Sequence, residues 1–98
     1  MSISPWNQGS RDTITISIMN PPASFSTPTL IIHDRTGYVA DTNGTGVFGA
    51  YSSGTITYTP SAADVATAGD YELFLSFYDG TGTYEYRRKM GEWLIVPV

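Results

Sequence analysis

Between Asp12 and Met19 the chain reads DTITISIM, with Ile14, Ile16 and Ile18 alternating against Thr13, Thr15 and Ser17. A period of two marks a strand with one face in a core and the other in water. The alternation returns over Gly54–Thr59, where Ile56 and Tyr58 oppose Thr55, Thr57 and Thr59. It returns again from Tyr71 to Tyr78, a central strand whose Leu73, Leu75 and Phe77 extend an inward face begun by Tyr71. Phe74 and Tyr78 then point outward.

Turn chemistry separates these runs. NPPASFSTP holds three prolines that cannot donate to a ladder, so it is a connection. In DRTG, Asp34 and Gly37 take favoured outer positions of a type I turn between short strands at Thr29–His33 and Tyr38–Thr42. Asn43-Gly44 fits a tight hairpin turn that needs positive φ, followed by a strand at Val47–Tyr51. After DGTG, Tyr84–Met90 is a hairpin arm, and EWLIVPV supplies a last strand ending at Pro97. Seven to eight short antiparallel strands with no long helical pattern predict an all-β, two-sheet sandwich. With neither a tandem repeat nor a linker, residues 1–98 are read as one domain.

The stretch TPSAADVATAGDY is the crossover between the sheets. Ser61 and Asp64 form a Ser-x-x-acid pattern that can cap one short helical turn over 61–66. Gly69 turns the chain into the next strand. Tyr71 can then lay its ring on the core while its hydroxyl returns to the crossover backbone, the tyrosine corner of Greek-key sandwiches.

Ninety-eight residues bury only about 65% of their unfolded surface. The 13% aromatic share therefore supplies much of the core area. Charged residues make up 14%, against about 25% in an average domain, and the net charge is −4. Sequence-independent nucleic-acid binding needs basic residues on phosphates, so proteins or neutral glycans are the expected partners. Without cysteine there is neither a disulfide framework nor a thiol nucleophile. No apolar run approaches the ~20 residues that cross a bilayer, and MSISPWNQGSRD lacks the pattern of a secretory signal. The expectation is a soluble chain made in a cytoplasm, with no membrane partner.

Few residues invite a chemical role. His33 stands alone among histidines, with no sequence partner for a triad, and reads as a strand residue beside a turn. DTNGTG resembles a calcium loop through Asp41 and Asn43, but its glycine falls at the fourth position and Ser52 stands at the twelfth, where a bidentate Glu is needed. Asn43-Gly44-Thr45 is a glycosylation sequon, which matters only in a eukaryotic secretory pathway. The glycines form no phosphate cradle, and no pair among the nine acids is singled out as catalytic. No cofactor or metal is expected.

Surface chemistry says more. In RRK, Arg87 and Lys89 share one strand face and Arg88 the other. The run suits a solvated edge that resists aggregation, or a contact for an acidic partner. Phe74, Tyr78, Tyr84 and Tyr86 surround DGTG, and those the core does not use would form an aromatic interface patch. The alternative is that a second layer, such as the Trp6 segment, covers them. Residues 1–11 can equally be an extended arm whose Trp6 docks on a neighbouring subunit.

Three segments together, GSRDTITISI, GTITYTPSAADVATAGDYELFLSFYDGTGTYEY and GEWLIV, resemble the N-terminal domain of the tailed-phage baseplate upper protein family. That family has an opening Gly-Asp-Thr strand, a crossover ending in Ala-Gly-x-Tyr, an F-x-D-G-T hairpin and a final G-x-l-x-I-x-V strand. The likeness runs from about Gly9 to Val96 and is densest between Gly54 and Tyr84. Arg11 stands where the family usually has glycine, and Ala23 to Ala50 match loosely. Family members continue into long C-terminal regions, whose receptor-binding role is not carried over.

The resemblance implies an immunoglobulin-like Greek-key sandwich in a virion. The function expected from it is structural and non-catalytic: a module of the baseplate, tail or head–tail region that binds other virion proteins and forms a homo-oligomer. The alternatives are a carbohydrate-binding or adhesion sandwich using Tyr and Trp as stacking platforms, and a capsid decoration protein.

Overall fold

The computed structural model describes residues 5–21, 26–37, 40–78 and 85–98. Among these residues eight strands form: β1 (Trp6–Asn7), β2 (Ile14–Ser17), β3 (Ser26–Asp34), β4 (Thr42–Asn43), β5 (Val47–Phe48), β6 (Thr55–Thr59), β7 (Gly69–Tyr78) and β8 (Glu85–Val96). One sheet runs β1-β8-β7-β3-β4 and the other β2-β6-β5. The chain is all-β with two sheets around one core, as its alternation predicts.

The inward positions are those that the period of two selects. Ile14, Ile16, Ile18, Ile56 and Tyr58 from the smaller sheet meet Leu30, Ile32, Leu73, Leu75, Phe77, Trp93 and Ile95 from the larger, all buried. Burying each such side chain stabilises the fold by about 1.5–3 kcal/mol before its entropy cost. Trp93 is fully buried, and its ring meets Trp6 edge-on with centroids 5.7 Å apart.

Several expectations are corrected. Tyr84–Met90 and the final segment are not two strands. β8 runs unbroken from Glu85 to Val96, and the register slips where Leu73 pairs with Gly91 and Phe74 with Lys89. Met90 is the extra residue of that bulge, and it is buried. Nor are all pairs antiparallel, since β1 lies parallel to β8 with Trp6 opposite Ile95. The strand expected at Tyr38–Thr42 appears as the two-residue β4, while Tyr38 and Val39 lie outside the described residues. β5 is shorter than the expected Val47–Tyr51.

The tight hairpin turn is not at Asn43-Gly44. Asn43 pairs with Ile31, and Gly44 donates its N–H to the Leu30 carbonyl as the chain leaves one sheet for the other. The two-residue turn with both central φ positive is Ser53-Gly54 (50° and 83°), closed by two hydrogen bonds of 2.9 Å between Ser52 and Thr55. Gly44 and Gly46 serve close approach instead: a Cβ on either would overlap the Tyr58 hydroxyl. The DRTG turn forms, with Gly37 N–H on the Asp34 carbonyl at 3.1 Å and the Asp34 carboxylate accepting from Thr36 N–H at 2.9 Å.

The helical turn over 61–66 does not form, although its capping bonds do. Asp64 N–H donates to Ser61 Oγ (3.2 Å) and Ser61 N–H to Asp64 Oδ2 (3.1 Å). The residues that would carry a helix onward are engaged elsewhere. Val65 is buried in the core, its carbonyl accepts Gly9 N–H at 2.9 Å, and the Ala66 carbonyl accepts the Gln8 side chain at 2.6 Å. The segment is a hydrogen-bonded turn laced to the N-terminal residues.

Candidate protein-contact face

β7 and β8 pair over most of their length, so each outward side chain of one has a fixed neighbour on the other. Phe74 lies between Ile31 on β3 and Lys89 on β8, while Ser76 faces Arg87 and Tyr78 faces Glu85. Cross-strand neighbours at this spacing interact directly. Arg87 lays its guanidinium over the Phe74 ring, 5.0 Å from the centroid. Glu85 accepts from Ser76 Oγ (3.0 Å) and from the Tyr78 hydroxyl (3.3 Å).

Charges enclose this aromatic centre. Lys89 Nζ lies 2.8 Å from Glu72, and Arg35 reaches Glu92 (3.1 Å), Asp70 (3.6 Å) and Glu72 (4.0 Å). His33 Nδ1 lies 2.6 Å from Asp41, whose second oxygen is 3.8 Å from Arg87. The hydrogen bond from Lys89 holds the Glu72 carboxyl below its ordinary range, with Lys89, Arg35 and His33 adding electrostatic support. The pairs tie β3, β7, β8 and the segment before β4 into one outer face. Phe74 and Tyr78 are half-buried among these charges.

Not every predicted residue joins the face. Tyr86 pairs with Phe77 and stacks on it at 5.1 Å, so it extends the core at the sheet's end. Tyr84 lies outside the described residues. Trp6 itself does not pack on this face: its indole meets Trp93, and its Nε1 donates to the Ser10 carbonyl at 2.9 Å. Arg87 and Lys89 share the face, and Arg88 lies on the other side over the Tyr86 ring at 5.5 Å.

The crossover residues build a separate cluster. The Tyr71 hydroxyl donates to the Thr67 carbonyl, four residues upstream, at 3.2 Å. Gly69 is the first residue of β7 and not a left-handed turn; a Cβ there would press on the Tyr71 ring. Asp64 accepts from the Tyr58 hydroxyl, from Ser61 N–H and, at 3.0 Å, from Thr45 N–H. Nearby, Asp34, Asn43, Thr45, Asp64 and Tyr71 line a groove of about 340 Å³.

Sequence reading missed Arg35 and the pairing of His33 with Asp41. Their signal is register: the β3–β4 ladder pairs Ile32 with Thr42, which brings His33 beside Asp41, and the β3–β7 ladder ends at Asp34 with Tyr71, which brings Arg35 beside Asp70. Among the described residues no cluster of three His, Cys, Asp or Glu side chains is placed to hold a metal, and no helix is long and apolar enough to cross a membrane. Comparison with protein-family models, curated proteins and solved structures finds no match to this chain.

Proposed function

We propose that this chain is a non-catalytic, immunoglobulin-like module of a tailed-phage particle that holds subunits together through the outer face of its five-stranded sheet. The observation that carries the reading is the arrangement there: two half-buried aromatics, Phe74 and Tyr78, ringed by paired charges, with Arg87 over one ring. An aromatic and arginine centre within a polar rim is the composition of protein interfaces.

The strand order supports the immunoglobulin-like part. β2, β6 and β5 take the places of strands B, E and D, while β8, β7, β3 and β4 take those of G, F, C and C′. The Tyr71 bond to Thr67 falls at the corner before strand F, where such sandwiches place a tyrosine. The phage setting rests on the sequence resemblance alone. In it the chain is made in a host cytoplasm and ends in the virion, in the baseplate, tail or head–tail region or as capsid decoration.

Light scattering across a concentration series tests the contact face. Species larger than a dimer should form and be lost in a folded Phe74→Ser/Tyr78→Ser variant. Persistence of such species in that variant would refute the use of this face.

One observation favours a second reading, a glycan-binding sandwich. The groove beside Tyr71 offers a half-buried ring flanked by hydroxyl, amide and carboxylate groups, the layout of a small-ligand site. Chemical-shift changes at Asn43 and Thr45 on titration with neutral oligosaccharides would favour it, and their absence would remove it.

A further inference from the structure

Sheet edges carry unpaired backbone groups, and proteins blunt them with short strands, charge or proline. Three of the four edges here, β1, β4 and β5, are two-residue strands. The fourth, β2, carries none of these devices: Thr13 to Met19 reads TITISIM, with no charge and no proline, and among the described residues no strand lies beyond β2 in its sheet. Ile18 N–H bonds the Gly54 carbonyl at 2.8 Å, and the same step of the ladder pairs Ile16 with Ile56 and Ile14 with Tyr58. Antiparallel ladders alternate, so the N–H and C=O groups of Thr13, Thr15 and Ser17 point away from β6.

The geometry points to a second copy of this chain as the occupant of that edge. Antiparallel pairing of two β2 strands about a two-fold axis at Thr15 sets Thr13 of each copy against Ser17 of the other, and Asp12 against Ile18. Asp12 has the parity of Ile14, Ile16 and Ile18, so it falls on the side facing the larger sheet. There a slot of about 270 Å³ lies between β2 and β8, with Ile16, Ile18, Leu75, Met90 and Arg88 among its lining residues.

Arg88 is the basic residue suited to receive that acid. Arg35, Arg87 and Lys89 each have a carboxylate partner, and Arg11 donates to the Pro60 carbonyl at 2.9 Å. Among the described residues Arg88 makes no ion pair and only overlies Tyr86. The two-fold pairing brings Asp12 of each copy to Arg88 of the other, which makes the contact self-complementary in hydrogen bonding and in charge. It joins the two small sheets into one of six strands, β5-β6-β2-β2-β6-β5. An edge contact this short belongs below about 1,200 Å², so the dimer forms in a concentration-dependent way. It uses no residue of the outer face and does not depend on the function proposed above.

Sedimentation of the full chain from micromolar to millimolar concentration tests it. The wild type should rise toward twice the monomer mass. Thr15→Pro removes an outward N–H that the chain's own ladder does not use, and an edge strand tolerates proline there, so this variant should stay folded and monomeric. Arg88→Asp should weaken dimerisation roughly tenfold, and Asp12→Arg/Arg88→Asp should restore it. If Thr15→Pro fails to fold, the charge series alone decides. A wild type that stays monomeric throughout, a folded Thr15→Pro variant that dimerises normally, or a charge swap that restores nothing would overturn the pairing. Phe74→Ser/Tyr78→Ser should leave this dimer intact, which separates it from assembly through the outer face.

Discussion

The Tyr58 hydroxyl donates to the Asp64 carboxylate, joining the middle strand of the small sheet to the crossover between sheets. The same oxygen accepts Gly46 N–H at 2.9 Å, so one buried side chain fixes two connections. Tyr58→Phe removes the acceptor of Gly46 N–H and one of the donors to Asp64, which keeps Ser61 N–H and Thr45 N–H. The expected loss is about 1–3 kcal/mol of unfolding free energy, measured by urea denaturation.

The same residue sets the alkaline limit. Burial, then the bond to Asp64, pushes the Tyr58 hydroxyl well above its ordinary value. A folded value above the unfolded one contributes stability that is complete below about pH 10 and is lost as pH rises. Burial and the Asp34 charge push Tyr71 in the same direction. Stability should therefore fall above about pH 10 in the wild type and fall less steeply in Tyr58→Phe. Equal slopes would contradict the assignment.

Gly44→Ala and Gly46→Ala place a methyl group against the Tyr58 hydroxyl. Each should cost about 1–3 kcal/mol through overpacking. Alanine at Gly9, where nothing lies near a Cβ, meets no such contact, so its cost is confined to its φ of 86°. A thermal-melt series compares the three directly.

Tyr71→Phe removes the bond to the Thr67 carbonyl while keeping the ring. Because that hydroxyl is partly solvated, the loss should lie near 0.5–1.5 kcal/mol. An unchanged unfolding midpoint would show that the bond contributes nothing to the corner.

Glu72 behaves oppositely to the tyrosines. Its carboxyl is held low by Lys89, so its contribution is present above about pH 4 and is lost as pH falls through the depressed folded value. The melting difference between wild type and Glu72→Gln should shrink on acidification. A difference that does not change with pH would rule out the Lys89 bond as its source.

The legible part of this fold is its alternation. Ile14, Ile16 and Ile18, Ile56 and Tyr58, and Leu73, Leu75 and Phe77 all face inward as a period of two requires. Cross-sheet facts were not legible. Gly44 looks like a turn residue because Asn-Gly usually is one, yet here its missing Cβ makes room for a hydroxyl from the other sheet. Ser61 and Asp64 make their capping bonds, but no helix follows, because Gly9 and Gln8 take the carbonyls beyond them. The unbroken β8 was hidden because a bulge at Met90 shifts inward parity by one residue. In the contact face, the outward placement of Phe74 and the split of Arg87 and Lys89 from Arg88 followed from parity. The Arg35 and His33 pairs depend on which strands are neighbours, and no local pattern encodes that.

The most direct test of the proposed contact face is hydroxyl-radical labelling of the protein in its assembled state and at a concentration where it is monomeric. Phe74 and Tyr78 should lose reactivity on assembly, while Phe48, half-buried on the opposite sheet, should not change. Equal labelling of Phe74 and Tyr78 in both states would contradict the claim that this face holds subunits together.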